Sequence, residues 1–291
     1  MWQFTPHCGD KQMSQTALPE DDYIIGASQQ EILRLGQQHA IWRERALAGW
    51  RRAGLKPGMT VLDIGCGPGH ASFDLAQLVG PSGKVVAVDQ SALFLDAVNA
   101  GAKQRGLINI ETVKSDLGQL VLPDNSVDMI WSRWVLSFLS HPQGLFERLQ
   151  TALKPGGRFI AHEYGHYETF GFFPADPVQD RFIEAVKKSW RAFGGEPNIA
   201  KQLPALCRRV GWTTEFMTPH IFTTRPGELV WEWPVGWLKS DGIDRLVELG
   251  FLSTEDADRF HTIMQERAAD PDSVLTTPMV IEVIARRKDE G

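Results

Sequence analysis

The 291-residue chain is short of cysteine, of excess positive charge and of long apolar runs, and each shortage excludes something. Its three cysteines, Cys8, Cys66 and Cys207, are odd in number and widely spaced, which fits neither a disulfide framework nor a zinc site. No stretch approaches the roughly 18 uninterrupted apolar residues that a membrane span needs. The first 22 residues lack a basic stretch followed by an apolar core, so no secretion signal is expected and a cytoplasmic location is. Lysine and arginine number 30 against 36 acids, a net charge of −6, which argues against broad binding to a phosphate backbone. Between Arg225 and Asp272 there are 11 acidic and 5 basic residues. That segment carries the whole excess and leaves the rest of the chain neutral.

Apolar residues make up 43% and charged residues 23%, enough for a sizeable core. Residues 1–22 are polar and aperiodic and read as an arm. From Ser28 to about Arg52, apolar residues recur at close to 3.6, an amphipathic helix with Gly36 as a weak point. Strand and helix patterns then alternate. Strands are expected at Met59–Ile64, Lys84–Asp89, Ile108–Val113, Val127–Ser132 and Arg158–Glu163, with helices at His70–Val79, Ala92–Arg105 and Pro142–Leu153 between them. Such alternation implies crossover connections and a mainly parallel sheet with helices on both faces. After Tyr167, helices are expected over Asp176–Phe193, Ile199–Val210 and most of Glu228–Ala269, and strands over Thr213–Ile221 and Pro278–Arg286.

Asp63-Ile64-Gly65-Cys66-Gly67-Pro68-Gly69 follows the first strand and opens a helix, where glycines allow a tight turn and close approach of a ligand. A dinucleotide site would place its third glycine at His70, and Asp63 suits an amine better than a pyrophosphate. The segment Val61–Gly69 resembles the first motif of class I S-adenosylmethionine-dependent methyltransferases. Asp89, closing the second strand, matches the acid that takes both ribose hydroxyls in that family. Ser115-Asp116-Leu117 matches the segment at the adenine edge, and Leu153–Gly157 the turn before the fifth strand. The resemblance implies S-adenosyl-L-methionine as cofactor and a Rossmann-like, doubly wound, mainly parallel seven-stranded α/β sheet. The division expected is an arm at 1–22, an N-terminal helical cover at 23–54, a core at 55–224 and 273–291, and a helical lid at 225–272 before the last strand. Cofactor contacts are expected from Asp63, Gly65, Cys66, Gly67, Asp89, Gln90, Ser115, Asp116, Leu117 and Ser132, with Trp42 closing over them beside Gln38, His39 and Arg43.

The segment after the fourth strand, Ser132-Arg133-Trp134-Val135-Leu136, lacks the Asn/Asp-Pro-Pro-aromatic run of base-methylating enzymes and the paired glutamates of protein arginine methylation. The stretch Leu55–Arg158 is similar to bacterial small-molecule methyltransferases, including quinone-biosynthetic ones. Methyl transfer is an in-line displacement, so the protein aligns acceptor and methyl and, where needed, removes a proton. His166 is the first candidate general base, His162 the second, with Tyr164 also facing the acceptor. Arg133, Trp134, Tyr167, Trp231, Trp233 and Trp237 are candidates for the substrate pocket. No spacing demands a metal. The expected activity is methylation of a small, aromatic or apolar organic acceptor, on oxygen or nitrogen in preference to carbon. The rivals are a protein or RNA methyltransferase and a non-catalytic cofactor-binding protein. The expected partner is the small-molecule acceptor, neither nucleic acid nor membrane, with homodimer formation left open.

Overall fold

The computed structural model describes residues 28–238 and 242–289, so the arm at 1–22 lies outside the described residues. Helix α1 (Gln29–Arg52) begins where the Ser28 side chain accepts a hydrogen bond from the Glu31 N–H. Then follow β1 (Thr60–Ile64), α2 (His70–Val79), β2 (Lys84–Asp89), α3 (Ala92–Arg105), β3 (Ile110–Lys114), β4 (Val127–Arg133), α4 (Pro142–Ala152) and β5 (Leu153–His166). The second half contributes β6 (Gly171–Phe173), α5 (Val178–Ala192), α6 (Leu203–Arg209), β7 (Trp212–His220), β8 (Thr223–Thr224), α7 (Glu232–Trp237), α8 (Ile243–Glu248), α9 (Thr254–Ala269), β9 (Val274–Thr276) and β10 (Met279–Arg287).

Seven strands form one sheet in the order β3-β2-β1-β4-β5-β10-β7. The pairs from β3 to β5 are parallel, and only β10 runs against its neighbours β5 and β7. The strand order reverses beside β1, and the carboxyl ends of β1 and β4 open a crevice there, where folds of this kind bind ligands. The doubly wound architecture expected from the alternation is therefore the one present. A separate three-stranded sheet, β6-β9-β8, was not legible beforehand because its strands are only two or three residues long.

The lid is broader than 225–272. Its apolar core joins Trp231, Val235, Phe260 and Ile263 to Tyr167, Phe170, Phe182, Val186 and Trp190, so α5 and the turn after β5 belong to the same packed layer. Phe182 and Phe260 stack with centroids 4.1 Å apart. Helix α5 presents Phe182, Val186 and Trp190 at four-residue spacing, and that stripe finds its apolar partner in the lid rather than the sheet.

Helix α1 lies close against the sheet, and two of its glycines permit it. A Cβ at Gly36 would stand 3.2 Å from the His70 ring, and one at Gly49 would strike the Glu282 carboxylate. What reads in sequence as a weak point is a place of close approach. Replacing a helical glycine by alanine ordinarily stabilises by about 1 kcal/mol. Gly49→Ala is expected instead to destabilise by about 1–3 kcal/mol, the cost of overpacking, seen as a lower midpoint in urea or thermal unfolding. A raised midpoint contradicts the close docking of α1.

Candidate active site

One continuous cavity opens at the carboxyl ends of β1 and β4, beneath α1 and the lid. Asp63, Gly65, Cys66, Gly67, Pro68 and His70 line one end, and Trp134, Phe138, Tyr164, Tyr167, Trp190 and Trp233 wall the other. Arg133 stands between them, with Glu31, Arg34, Leu35 and Gln38 of α1 above.

The glycine loop adopts the backbone that its residues permit. Gly65, Gly67 and Gly69 all have positive φ, at 62°, 53° and 85°. A Cβ at Gly65 would strike the Val135 side chain, so the loop after β1 and the loop after β4 touch only because that position is bare. Asp89 accepts hydrogen bonds from the N–H groups of Gly67 and Ser91, each at 2.9 Å. The Gln90 N–H also acts on this carboxylate, whose roughly four lone-pair sites still leave capacity for a hydroxyl donor. Ser91 caps α3 by accepting from the Phe94 N–H, so the helix does not need Asp89 for that purpose.

Burial pushes the Asp63 carboxyl up to about 7, although Ser72 donates to it at 2.6 Å and the Arg133 charge favours its ionised form. Burial also lowers the Arg133 guanidinium to about 10, opposed by the charges of Asp63 and Asp74. The Arg133 Nη2 donates to His39 Nδ1 at 3.0 Å, and His39 Nε2 lies 3.1 Å from Asp74. A guanidinium has no lone pair to offer, so Nδ1 must accept and Nε2 must carry the proton. Burial accordingly holds His39 neutral, down to about 4.

The aromatic end is a continuous stack. Trp134 and Trp233 lie 5.5 Å apart and 28° from parallel, and Tyr164 and Trp233 lie 6.5 Å apart and 8° from parallel. Trp134 itself has φ +54°, which costs a non-glycine residue about 1–3 kcal/mol. Glu163 holds that turn. Its buried carboxylate accepts from the Val135 and Leu136 N–H groups at 2.9 Å and from Ser137 Oγ at 2.9 Å. Ser132 Oγ also faces Glu163, at 3.5 Å. Trp233 is latched to α1 through its Nε1, which donates to Gln38 at 3.2 Å.

The two histidines expected as bases stand elsewhere, and that reading is corrected. His162 is completely buried outside the cavity wall, with Nε2 2.9 Å from Glu282, and burial keeps it neutral, down to about 4. The ring of His166 turns to Glu168 at 2.8 Å, and its side chain is 45% exposed. The reason is geometric: alternation carries Tyr164 to the cavity, while Gly165 releases the strand and lets His166 swing to the α5 side. Tyr164 and Tyr167 do line the wall, and burial raises both phenols above their ordinary range.

Other expected residues divide as follows. Asp63, Gly65, Cys66, Gly67, Arg133, Trp134, Tyr167 and Trp233 line the cavity. Trp42 stands behind it, in edge contact with Trp134 at 5.3 Å and Trp233 at 4.9 Å. Trp231 is packed in the lid core instead of the wall. Gln90 is exposed and Leu117 buried in the main core. Ser115 is tied to β2 by its N–H donating to the Asp89 carbonyl, and Asp116 accepts from the Gly118 N–H at 2.6 Å as a turn residue. Trp237 ends α7, but its side chain lies outside the described residues. Sequence reasoning passed over Trp190 and Phe138; the signal for Trp190 was its place on the inward stripe of α5.

A second buried cluster lies outside the cavity wall. His162, His220 and Glu282 offer three ligand atoms within 4.8 Å of one another. Arg52 already pairs with the other Glu282 oxygen, and burial, which raises that carboxyl, is outweighed by His162 and His220, leaving it at about 2. The cluster reads as an ion network anchoring α1 to β10 and β5.

A family model described as a methyltransferase domain matches residues 55–223. The chain belongs to that family. It is a class I S-adenosylmethionine-dependent methyltransferase with the Rossmann-like sheet that this class shares. Over 160 residues it is 30% identical to the demethylmenaquinone methyltransferase of Lactococcus lactis, covering 55% of this chain and 60% of that one. Over 162 residues it is 29% identical to the ubiquinone/menaquinone biosynthesis C-methyltransferase of Ectopseudomonas mendocina, covering 55% and 59%. The chain thus spans about three fifths of the length of each of these two relatives. Its fold is also that of a Haemonchus contortus phosphoethanolamine N-methyltransferase in complex with S-adenosyl-L-methionine, with TM-score 0.52, 19% identity, and coverage of 85% of this chain and 53% of that one.

The residues present fit the cofactor: a bare glycine cradle, a carboxylate with spare acceptor capacity and a buried acid suited to an ammonium. Because free Asp63 titrates near 7, an incoming ammonium must draw it into its ionised form. Affinity for S-adenosylhomocysteine is therefore expected to rise as pH increases from 6 to 7 and to level off above that, while the ligand's α-ammonium keeps its proton. Calorimetry at pH 6 in buffers of different ionisation heat should show a proton released on binding. Asp63→Asn should weaken binding and abolish that release, whereas undiminished proton release from the variant would remove Asp63 from the site.

Proposed function

We propose that the protein methylates a small, flat aromatic acceptor held against Trp134, Tyr164 and Trp233, and that it does so by alignment rather than by removing a proton. The observation that carries this reading is the composition of the acceptor end: stacked aromatic rings, with no histidine and no uncommitted carboxylate among the described residues that wall it. S-adenosyl-L-methionine supplies an electrophilic methyl group on a sulfonium. The chain's part is to hold the acceptor in line with it, and the lid and α1 exclude water while it does so.

An acceptor bearing an ordinary hydroxyl needs a base, and both candidates have their rings outside the cavity. An acceptor already nucleophilic, an electron-rich ring carbon or a neutral amine, takes the methyl first and gives up its proton to water afterwards, so no base need act in the transfer step. The two quinone-pathway relatives support the aromatic ring as the acceptor class, and the one named as a C-methyltransferase favours carbon over the oxygen or nitrogen expected from sequence. The deep aromatic wall and the latched lid speak against a peptide or RNA, which needs an open groove.

The test is S-adenosylhomocysteine release across hydroquinones, phenols, aromatic amines, thiols, carboxylic acids, a peptide pool and bulk RNA. Turnover is expected with electron-rich hydroquinones or amines, and release with peptide or RNA alone overturns the acceptor class. With the best acceptor, His166→Ala and Tyr164→Phe should keep kcat within about threefold. Loss of a true general base costs about 10²–10⁴-fold. Tyr164→Ala or Trp233→Ala should raise KM about tenfold, the scale of losing one aromatic contact of roughly 1.4 kcal/mol.

A further inference from the structure

We propose that Arg133 is the anchor for the carboxylate of the cofactor's amino-acid end, so that Asp63 and Arg133 together form a socket for a zwitterion. The inference rests on the cofactor and not on the acceptor proposed above.

Register places the two residues. Asp63 on β1 is the partner of Trp131 on the adjacent parallel strand β4, and Arg133 lies two residues further along the same face. Neighbouring strands lie about 4.8 Å apart and two residues advance about 6.6 Å, so the two Cα atoms stand about 8 Å apart on one cavity wall. Across that gap the short Asp63 and the long Arg133 side chain are spaced to take an α-ammonium and an α-carboxylate. Both residues line the cavity; Asp63 is buried, and Arg133 is half-buried with its Nη1 atom out of contact with solvent.

The two charges favour one another at a distance, but among the described residues neither is in hydrogen-bonding contact with an opposite charge. The Asp63 carboxylate receives a hydrogen bond from Ser72. The Arg133 guanidinium spends Nη2 on His39, a neutral acceptor, and its buried Nη1 has no partner. A buried guanidinium donor without an acceptor is costly, and a ligand carboxylate is the group that relieves it. Arg34, the other arginine of the cavity, is already committed. Its Nε and Nη2 donate to Glu31 at 2.7 and 2.6 Å, and its Nη1 donates to Gln38 at 3.0 Å.

The guanidinium is also held in place from behind. Arg43 donates to Asp74 at 2.7 and 3.0 Å, Asp74 accepts from His39, and His39 accepts from Arg133. The relay fixes the imidazole tautomer, directs the guanidinium plane, and ties α1 and α2 to the end of β4. Trp134 flanks the guanidinium, with its ring centroid 5.1 Å from the Arg133 Cζ.

The experiment compares three ligands by tryptophan-fluorescence titration or calorimetry, without any acceptor: S-adenosylhomocysteine, its decarboxylated analogue, and methylthioadenosine, which lacks the whole amino-acid end. Wild-type protein is expected to bind the decarboxylated analogue at least tenfold more weakly than S-adenosylhomocysteine. Arg133→Gln should reduce S-adenosylhomocysteine affinity by a similar factor, bind both of these ligands alike, and leave methylthioadenosine within twofold. Arg133→Lys, which keeps the charge but not the fork, should retain part of the preference. Equal binding of the two ligands by wild-type protein overturns the proposal, and that comparison needs no variant to fold. A loss in Arg133→Gln that is the same for all three ligands also overturns it, assigning Arg133 to support of the pocket instead. Failure to methylate any tested acceptor leaves these binding outcomes untouched.

Discussion

Everything that faces the cavity from above depends on how closely α1 can approach the sheet. Gly49 removes the Cβ that would hold it off, Gly36 allows the neighbouring turn to close on His70 of α2, and Arg52 completes the contact by pairing with the buried Glu282 on β10. From that position α1 performs three further tasks. His39 reaches Arg133 at the end of β4, Gln38 receives the Trp233 indole from the lid, and Trp42 backs the aromatic wall. A helix displaced by one side-chain thickness would lose all three together. Packing density at two glycines is thereby converted into the geometry of the site.

The loop after β4 shows a similar economy. Its residues must turn sharply at the sheet end, touch the bare Gly65, and place an indole in the cavity with positive φ. A buried carboxylate organises this. Burial raises the Glu163 carboxyl, but the N–H groups of Leu136 and Val135 and the Ser137 hydroxyl resist that shift and keep it serviceable as an acceptor. The strained Trp134 is affordable because three donors converge on one side chain behind it. Glu163 therefore acts on the cavity only through the loop it holds, from the opposite face of β5 to Tyr164.

The elements that could be read in advance are those whose pattern is local. The run Lys84–Asp89 and the helices His70–Val79 and Ala92–Arg105 fall at the boundaries that periodicity sets, because a buried parallel strand and an amphipathic helix each carry their period within a few residues. The glycine loop was equally plain, because its residue types are the ones the turn requires. The histidines failed for a different reason. His162 and His166 sit four residues apart on one strand end, and nothing local distinguishes a base from a ring that pairs with Glu282, 120 residues away, or with Glu168 beyond a glycine hinge. The same holds for α5: its stripe was visible, while the choice of lid over sheet as its partner is a tertiary fact. Short strands such as β6 and β8 have too few residues to show any period.

The division of charge within the cavity also bears on how the reaction runs. The glycine-loop end carries the acid Asp63 and the base Arg133, whereas the other end has aromatic faces and phenols that burial keeps protonated. As the methyl leaves, the positive charge of the sulfonium passes with it to a neutral acceptor, so the barrier is lowered by surroundings that tolerate a cation spread between the two and by an acceptor pressed into line. Ring faces provide a mildly negative surface for the cation without solvating it as water would. A general base placed there would add a charge that the apolar wall could not stabilise. The arrangement therefore puts the electrostatic work on cofactor binding at one end and leaves distance and angle to govern transfer at the other.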